Sequence, residues 1–305
     1  MMVYLVATLT VVAIAALAGL ALNLQWGMGG LVNFGLFGFY MLGAYIAGLL
    51  AVQGLPPLIA LGMAMLGVAT LSAVSALISV RLSEDYLAIV TLGFAECLRL
   101  VISYEAWLTH GMLGVAGIER PFQSWWPRGW ADTGFLLLAL LAVLIVYAVL
   151  QALARSPFGR LVRATRDDPG VIEALGKSVL GVRVRVFAIG GAILGLAGSL
   201  HAFYYSYIDP TQFGPIITAY AFMAVVVGGR GSNRGVVASA FTLIFLLEGS
   251  RFLIDLVPGL GASELAAIRL FLVGAGLVAL LIFKPDGFGR EPRSVLADKT
   301  SSHFQ

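Results

Sequence analysis

Two short constellations put ionisable side chains inside apolar sequence: Glu96-Cys-Leu-Arg99 and Glu248-Gly-Ser-Arg251. Each sets a carboxylate three residues before a guanidinium, the spacing at which two side chains meet on one helical face and neutralise each other. Charges at membrane depth are costly and face protein or water, so each pair reads first as a salt bridge and second as an outer gate or docking surface. A third group is uncharged. Asn23, Gln25 and Asn33 flank Trp26-Gly-Met-Gly-Gly30, in which Gly27 and Gly29 weaken a helix. Polar amides beside a discontinuous helix point to a solute site, although close packing through small residues accounts for the same glycines. Bond-breaking chemistry has no comparable constellation. Gly176-Lys-Ser ends like a phosphate loop, but Val171 stands where that loop needs glycine. The chain has no HExxH, Cys-x-x-Cys or Gly-x-Ser-x-Gly, and its three histidines (110, 201, 303) are too scattered for a metal site.

The elements that must position these residues are membrane spans. Of 305 residues 60% are hydrophobic and 11% charged, and the mean hydropathy is +0.95, the balance of a polytopic membrane protein. Nine segments approach the roughly 20 apolar residues a span requires: 3 to 26, 31 to 52, 58 to 80, 86 to 103, 134 to 154, 186 to 206, 216 to 229, 235 to 255 and 265 to 283. The expected fold is all-α, with about 8–10 spans, some of them broken. Residues 1–290 form one membrane domain and 291–305 a cytoplasmic tail. The first apolar run has no basic residue before it and no cleavage signature, so it reads as retained. Cys97, alone in an apolar segment, reads as a small core side chain. The net charge of +3 comes from cations at the ends of apolar runs, where topology and not nucleic acid explains them.

Arg155 to Arg185 is the one long polar island, with seven Lys/Arg against three acids, and such a loop stays on the cytoplasmic side. Counting crossings from it puts Arg81, Arg230, Arg234 and the C-terminal cations inside too, and the tryptophan-rich stretch 105–133 outside. Inside the island Asp168 can cap a short surface helix that begins at Pro169, carries Val171, Ile172 and Leu175, and ends at Gly176. The two Glu-x-x-Arg pairs stand 14 or 15 residues after cytoplasmic arginines (Arg81, Arg234). This spacing predicts two similarly oriented halves, segments 1 to 4 and 6 to 9, in the manner of a parallel transporter repeat. The tyrosines 204, 205 and 207 read as an interfacial belt, and His201 among them as a satisfied polar residue and not a ligand.

Five motifs in order resemble the LivM-like permease subunits of importers driven by ATP-binding cassettes for branched-chain amino acids. They are Leu20-Ala-Leu-Asn-Leu-Gln-Trp-Gly-Met-Gly-Gly30 with Gly43-Ala-Tyr45, Arg81 through Arg99, Ser156-Pro-Phe-Gly-Arg160 with Ala174-Leu-Gly176, Gly228-Gly-Arg-Gly231, and Phe283-Lys-Pro-Asp-Gly287. The resemblance implies a multi-pass protein of the bacterial inner membrane with no catalytic group or cofactor of its own. It implies four partners: a LivH-like second permease, two ATPase subunits that bind ATP and Mg, and a soluble substrate-binding protein. The solute pathway would then be Asn23, Gln25, Gly27, Gly29, Asn33, Tyr40, Tyr86 and Thr91. The basic island would dock an ATPase through the apolar face Val171, Ile172 and Leu175, its register set by Arg160, Arg163, Arg166 and Asp168, with Gly176 closing the helix. Val32-Asn33-Phe34-Gly35 departs from the Ser-Leu-Gly-His type sequence usual there. Members resembling this family carry urea, amides and other amino acids, and a stand-alone secondary transporter is the runner-up class.

Overall fold

The computed structural model describes residues 2–79, 84–122 and 130–254, with 271, 274, 275 and 289. Helix α1 (Met2–Leu22) runs into a π turn (Asn23–Met28), and α2 (Leu36–Val52), α3 (Pro57–Ser79), α4 (Glu84–Tyr104) and a one-turn α5 (Ala106–Thr109) follow. Then come α6 (Ala131–Arg155), α7 (Pro157–Asp167), α8 (Pro169–Ala174), α9 (Val179–Tyr205), α10 (Pro215–Gly228) and α11 (Asn233–Ile254). Six of these stretches are long and apolar enough to cross a membrane, and Leu36–Val52 and Asn233–Phe245 are shorter apolar helices. Together they are the first eight of the nine segments read from the sequence. The ninth lies outside the described residues save for 271, 274 and 275, and Arg81, Trp125, Trp126 and the tail lie outside them altogether. The described strands are two residues each, β1 (Val115–Ala116) and β2 (Tyr207–Ile208), paired antiparallel.

Two ends of the bundle are defined by contacts. At one end α7 touches the π turn, Asn23 meets Asn233 at the start of α11, and Gln151 near the end of α6 meets Asn233. At the other, β1 and β2 pair, and Arg120 donates to the Tyr204 carbonyl at 2.7 Å. Helices α4 and α11 both start at the α7 end, so the two Glu-x-x-Arg helices run in the same direction. The halves are offset from the sequence reading, however. Helix α1 ends where α9 begins, so these two are antiparallel, and segment 1 cannot correspond to segment 6. A parallel relation pairs α1 with α6, α2 with α9, α3 with α10 and α4 with α11.

Helix α9 passes through the centre of the bundle, and small residues let its neighbours approach backbone to backbone. A Cβ at Gly43 would lie 2.6 Å from the Cα of Gly195, and one at Gly198 would lie 2.0 Å from the Tyr40 carbonyl. Without a driving force from water, such close van der Waals contact is what holds spans together. Cys97 is exposed, a correction to its expected burial. It lies on the outward stripe of α4 with Leu100 and Tyr104, where an apolar medium accepts a thiol as readily as a core does.

Candidate functional site

The break after α1 is a helix end widened into a π turn, a form that often marks functional positions. Gly30 has φ +69° and takes the chain out of the helix; residues 29–35 are non-helical. Helix α2 then starts level with Thr91, the eighth residue of α4, about 10 Å along that helix at 1.5 Å per residue. Its first turn therefore opens inside the bundle. A helix start leaves orphan N–H groups, and here two hydroxyls from other helices accept them: Thr91 from Phe34 at 3.1 Å and Thr218 of α10 from Phe37 at 3.1 Å. Irregular backbone at membrane depth is tolerated where protein satisfies it in this way.

The amides gather on the other side of the break. Asn33 Nδ2 donates to Gln25 Oε1 at 2.9 Å, and both side chains are fully buried. Among the described residues Gln25 Nε2 and Asn33 Oδ1 have no hydrogen-bond partner, leaving a buried donor and acceptor side by side. Asn23 Nδ2 donates to Asn233 Oδ1 at 2.8 Å, and Asn23 Oδ1 accepts from the Gly231 N–H at 2.9 Å. The glycine turn at 228–235 thus closes onto the π turn, and Arg230 lies over the Trp26 ring, 4.2 Å from its centroid. That ring packs on Phe222, which also meets Phe34.

Of the residues assigned to the pathway from sequence, the fold brings Asn23, Gln25, Gly27, Gly29, Asn33 and Thr91 together. Tyr40 sits one turn along α2, and its hydroxyl is 3.0 Å from His201 Nδ1, whose Nε2 is 3.3 Å from Gln212 Oε1. His201 is therefore a satisfied polar residue, as expected, half-buried between Tyr40 and Gln212. Tyr86 is 65% exposed on α4 and stands apart from the cluster. Gln151, Thr218, Gly231 and Asn233 were missed. Thr218, a polar residue inside an apolar segment, was the readable signal. Glu96 and Arg99 form the expected one-turn pair, Arg99 Nε lying 3.0 and 3.1 Å from the two carboxylate oxygens. The side chains of Glu248 and Arg251 lie outside the described residues.

The basic island folds into two helices, with sequence grammar repeated at each start. Ser156 caps α7 ahead of Pro157, accepting from the Gly159 N–H at 3.2 Å; Asp168 caps α8 ahead of Pro169, accepting from Gly170 and Val171. Helix α8 closes as expected at Gly176, φ +72°, whose N–H donates to the Glu173 carbonyl while Lys177 N–H reaches that of Ile172. The expected apolar face is divided. Val171 and Leu175 are 53% and 69% exposed, whereas Ile172 is 5% exposed and anchors α8 to the chain itself. The arginines divide too. Arg160 is exposed, Arg163 donates to the Ala154 carbonyl at 3.0 Å, and Arg166 Nη1 donates to the Gly27 carbonyl at 2.7 Å.

Residues 4–282 match the family described as the permease component of the branched-chain amino acid transport system. The high-affinity branched-chain amino acid transport system permease protein LivM of Escherichia coli is 32% identical over 305 residues, covering 92% of this chain and 68% of that protein. The probable branched-chain amino acid transport permease LivM of Methanocaldococcus jannaschii is 27% identical, with 89% of each chain covered. The probable LivH permease of the same archaeon is 25% identical over 235 residues, with 74% of each covered. No solved structure matches. Five ordered motifs, eight apolar helices interrupted after the first, and a family match along nearly the whole length agree: this chain belongs to the permease components of branched-chain amino acid transport systems.

Proposed function

We propose that this chain is the LivM-like half of the translocation pathway of an ATP-driven importer for branched-chain amino acids. Its partners are a LivH-like permease, two ATPase subunits carrying ATP and Mg, and a soluble binding protein that delivers the solute. The assembly sits in the bacterial inner membrane, with α7, α8 and the C-terminal tail cytoplasmic. Urea or a short-chain amide is the alternative cargo within the same family. One observation carries the reading: α8 is capped at both ends, held from below by Ile172, and presents Val171 and Leu175 outward. A short rigid helix with an exposed apolar pair, set among arginines, is suited to seat in a groove of an ATPase and pass on its movement. The LivH and LivM likenesses of one chain support pairing with a related second permease. Leu175→Glu is expected to abolish solute-stimulated ATP hydrolysis in the assembled complex; unchanged hydrolysis would overturn the docking role. Uptake by wild-type vesicles without any ATPase would favour a secondary transporter.

A further inference from the structure

We propose that Arg166 is the positioning residue that ties the ATPase-facing element to the broken helix, so that α7 and the π turn move as one body. The inference rests on the importer reading above. Its ground is where the guanidinium goes. Arg166 belongs to a row with Arg160 and Arg163 at three-residue intervals on α7, which alone would place it on a solvated face. Instead its side chain is only 23% exposed, and Nη1 donates to the Gly27 carbonyl at 2.7 Å. That carbonyl is one of the orphan acceptors that a helix end leaves, freed because the chain departs at Gly30. The cation also faces the negative end of the α1 dipole. Asp167 holds the other edge of the guanidinium, Oδ1 lying 3.1 Å from Nε.

The aliphatic stem is equally committed. A Cβ at Gly30 would stand 2.6 Å from Arg166 Cγ, so the stem fills the space that a side chain at position 30 would need. Val162 and Gly159, four and seven residues earlier, lie on the same face of α7 as Arg166, and both are buried, as is Thr165. α7 packs on α6, on α9 and on the π turn. α8 is joined to this body through buried Ile172. A displacement of α8 thus has a continuous path: α8 to α7, the Arg166 guanidinium to Gly27, and from there to Gln25 and Asn33, whose free donor and acceptor line the break. Coupling needs an element that both sites bias, and the π turn is that element.

The test follows hydrogen exchange and uptake in the reconstituted complex. In the wild type, exchange across 23–35 is expected to change between nucleotide-free and ATP-bound states in step with 157–174. An unresponsive 23–35 would overturn the proposal without any variant. Arg166→Gln should keep the ATPase subunits bound and keep the response of 157–174. It should lose the response of 23–35, and uptake should fall about tenfold or more, the scale of one charge-assisted hydrogen bond. Arg166→Lys, which keeps one donor, should recover part of both. A merely structural role would lower the yield of complex without separating the two segments. Wild-type uptake that needs no ATP would overturn the importer reading. Wild-type-level uptake by Arg166→Gln with its ATPases bound would overturn the coupling role alone.

Discussion

Asn23 and Asn233 are 210 residues apart in the chain and are joined by a buried hydrogen bond, Asn23 Nδ2 to Asn233 Oδ1, at 2.8 Å. The same Asn23 accepts from the Gly231 N–H through Oδ1, so one side chain fastens the end of α1 to the turn between α10 and α11. Asn23→Ala leaves both partners unsatisfied, at about 1–3 kcal/mol each, and should lower the thermal midpoint of the detergent-solubilised protein. Asn23→Asp should be worse, because it loses the donor and buries a charge. If both variants melt with the wild type, this joint does not hold the break.

Val171 and Ile172 are neighbours with opposite duties. Ile172→Ala removes a buried side chain and should cost about 2–5 kcal/mol, visible as a lower melting temperature of the isolated chain. Val171→Ala with Leu175→Ala should leave that temperature within about 0.5 kcal/mol equivalents while reducing copurification of the ATPase subunits. The reverse pattern would place Ile172, not its neighbours, at the docking face.

These residues show how far the sequence could be read. Apolar length located eight helices, because in lipid about 20 apolar residues with internally satisfied backbone have few alternatives to a helix. The capping grammar of Asp168-Pro169 located α8. The same grammar stands at Ser156-Pro157, but the arginines at 160, 163 and 166 hide the periodicity of Gly159, Val162 and Thr165, so the sequence of α7 looks like loop. What depends on distant contacts was not legible: the depth at which α2 starts is set by Thr91 and Thr218, and the inward turn of Arg166 by a carbonyl 139 residues away.

Glu96 and Arg99 are 40% and 30% exposed on α4, so the pair stands at the bundle surface, in roughly the last two turns of the helix. Glu96→Gln leaves a lone guanidinium there, costing at most about 3 kcal/mol, the figure for a charge at the helix centre. Removing both charges with Glu96→Gln and Arg99→Gln should recover most of the loss, measured as membrane-inserted yield and melting temperature. If the double variant is as stable as wild type but fails in uptake, the pair is a gate as well as a bridge. If it is no better than Glu96→Gln, mutual neutralisation is not its role.

Asp209, just past α9, supplies a pH dependence with a definite sign. Burial raises its pKa, and this is the largest single influence, but hydrogen bonds from Thr211 and Gln212 outweigh it and hold the carboxyl below its ordinary 3.8. The Thr211 N–H donates to Oδ1 at 2.8 Å and Gln212 Nε2 to Oδ2 at 2.7 Å. A carboxylate with a depressed folded-state pKa contributes stability that is fully present above the unfolded value and is lost as pH falls through the folded value. Asp209→Asn should therefore melt below the wild type at neutral pH. The difference between the two should shrink as the pH drops below 3.8 and vanish once the wild-type carboxyl is itself protonated. Subtracting the two curves removes the titration of every group the substitution does not touch. A constant difference across the acid range would mean that the loop is held by shape and not by the charge on Asp209. Because Gln212 also reaches His201 Nε2, loss of this carboxylate should loosen the chain of contacts to Tyr40, read as faster hydrogen exchange at the start of α2.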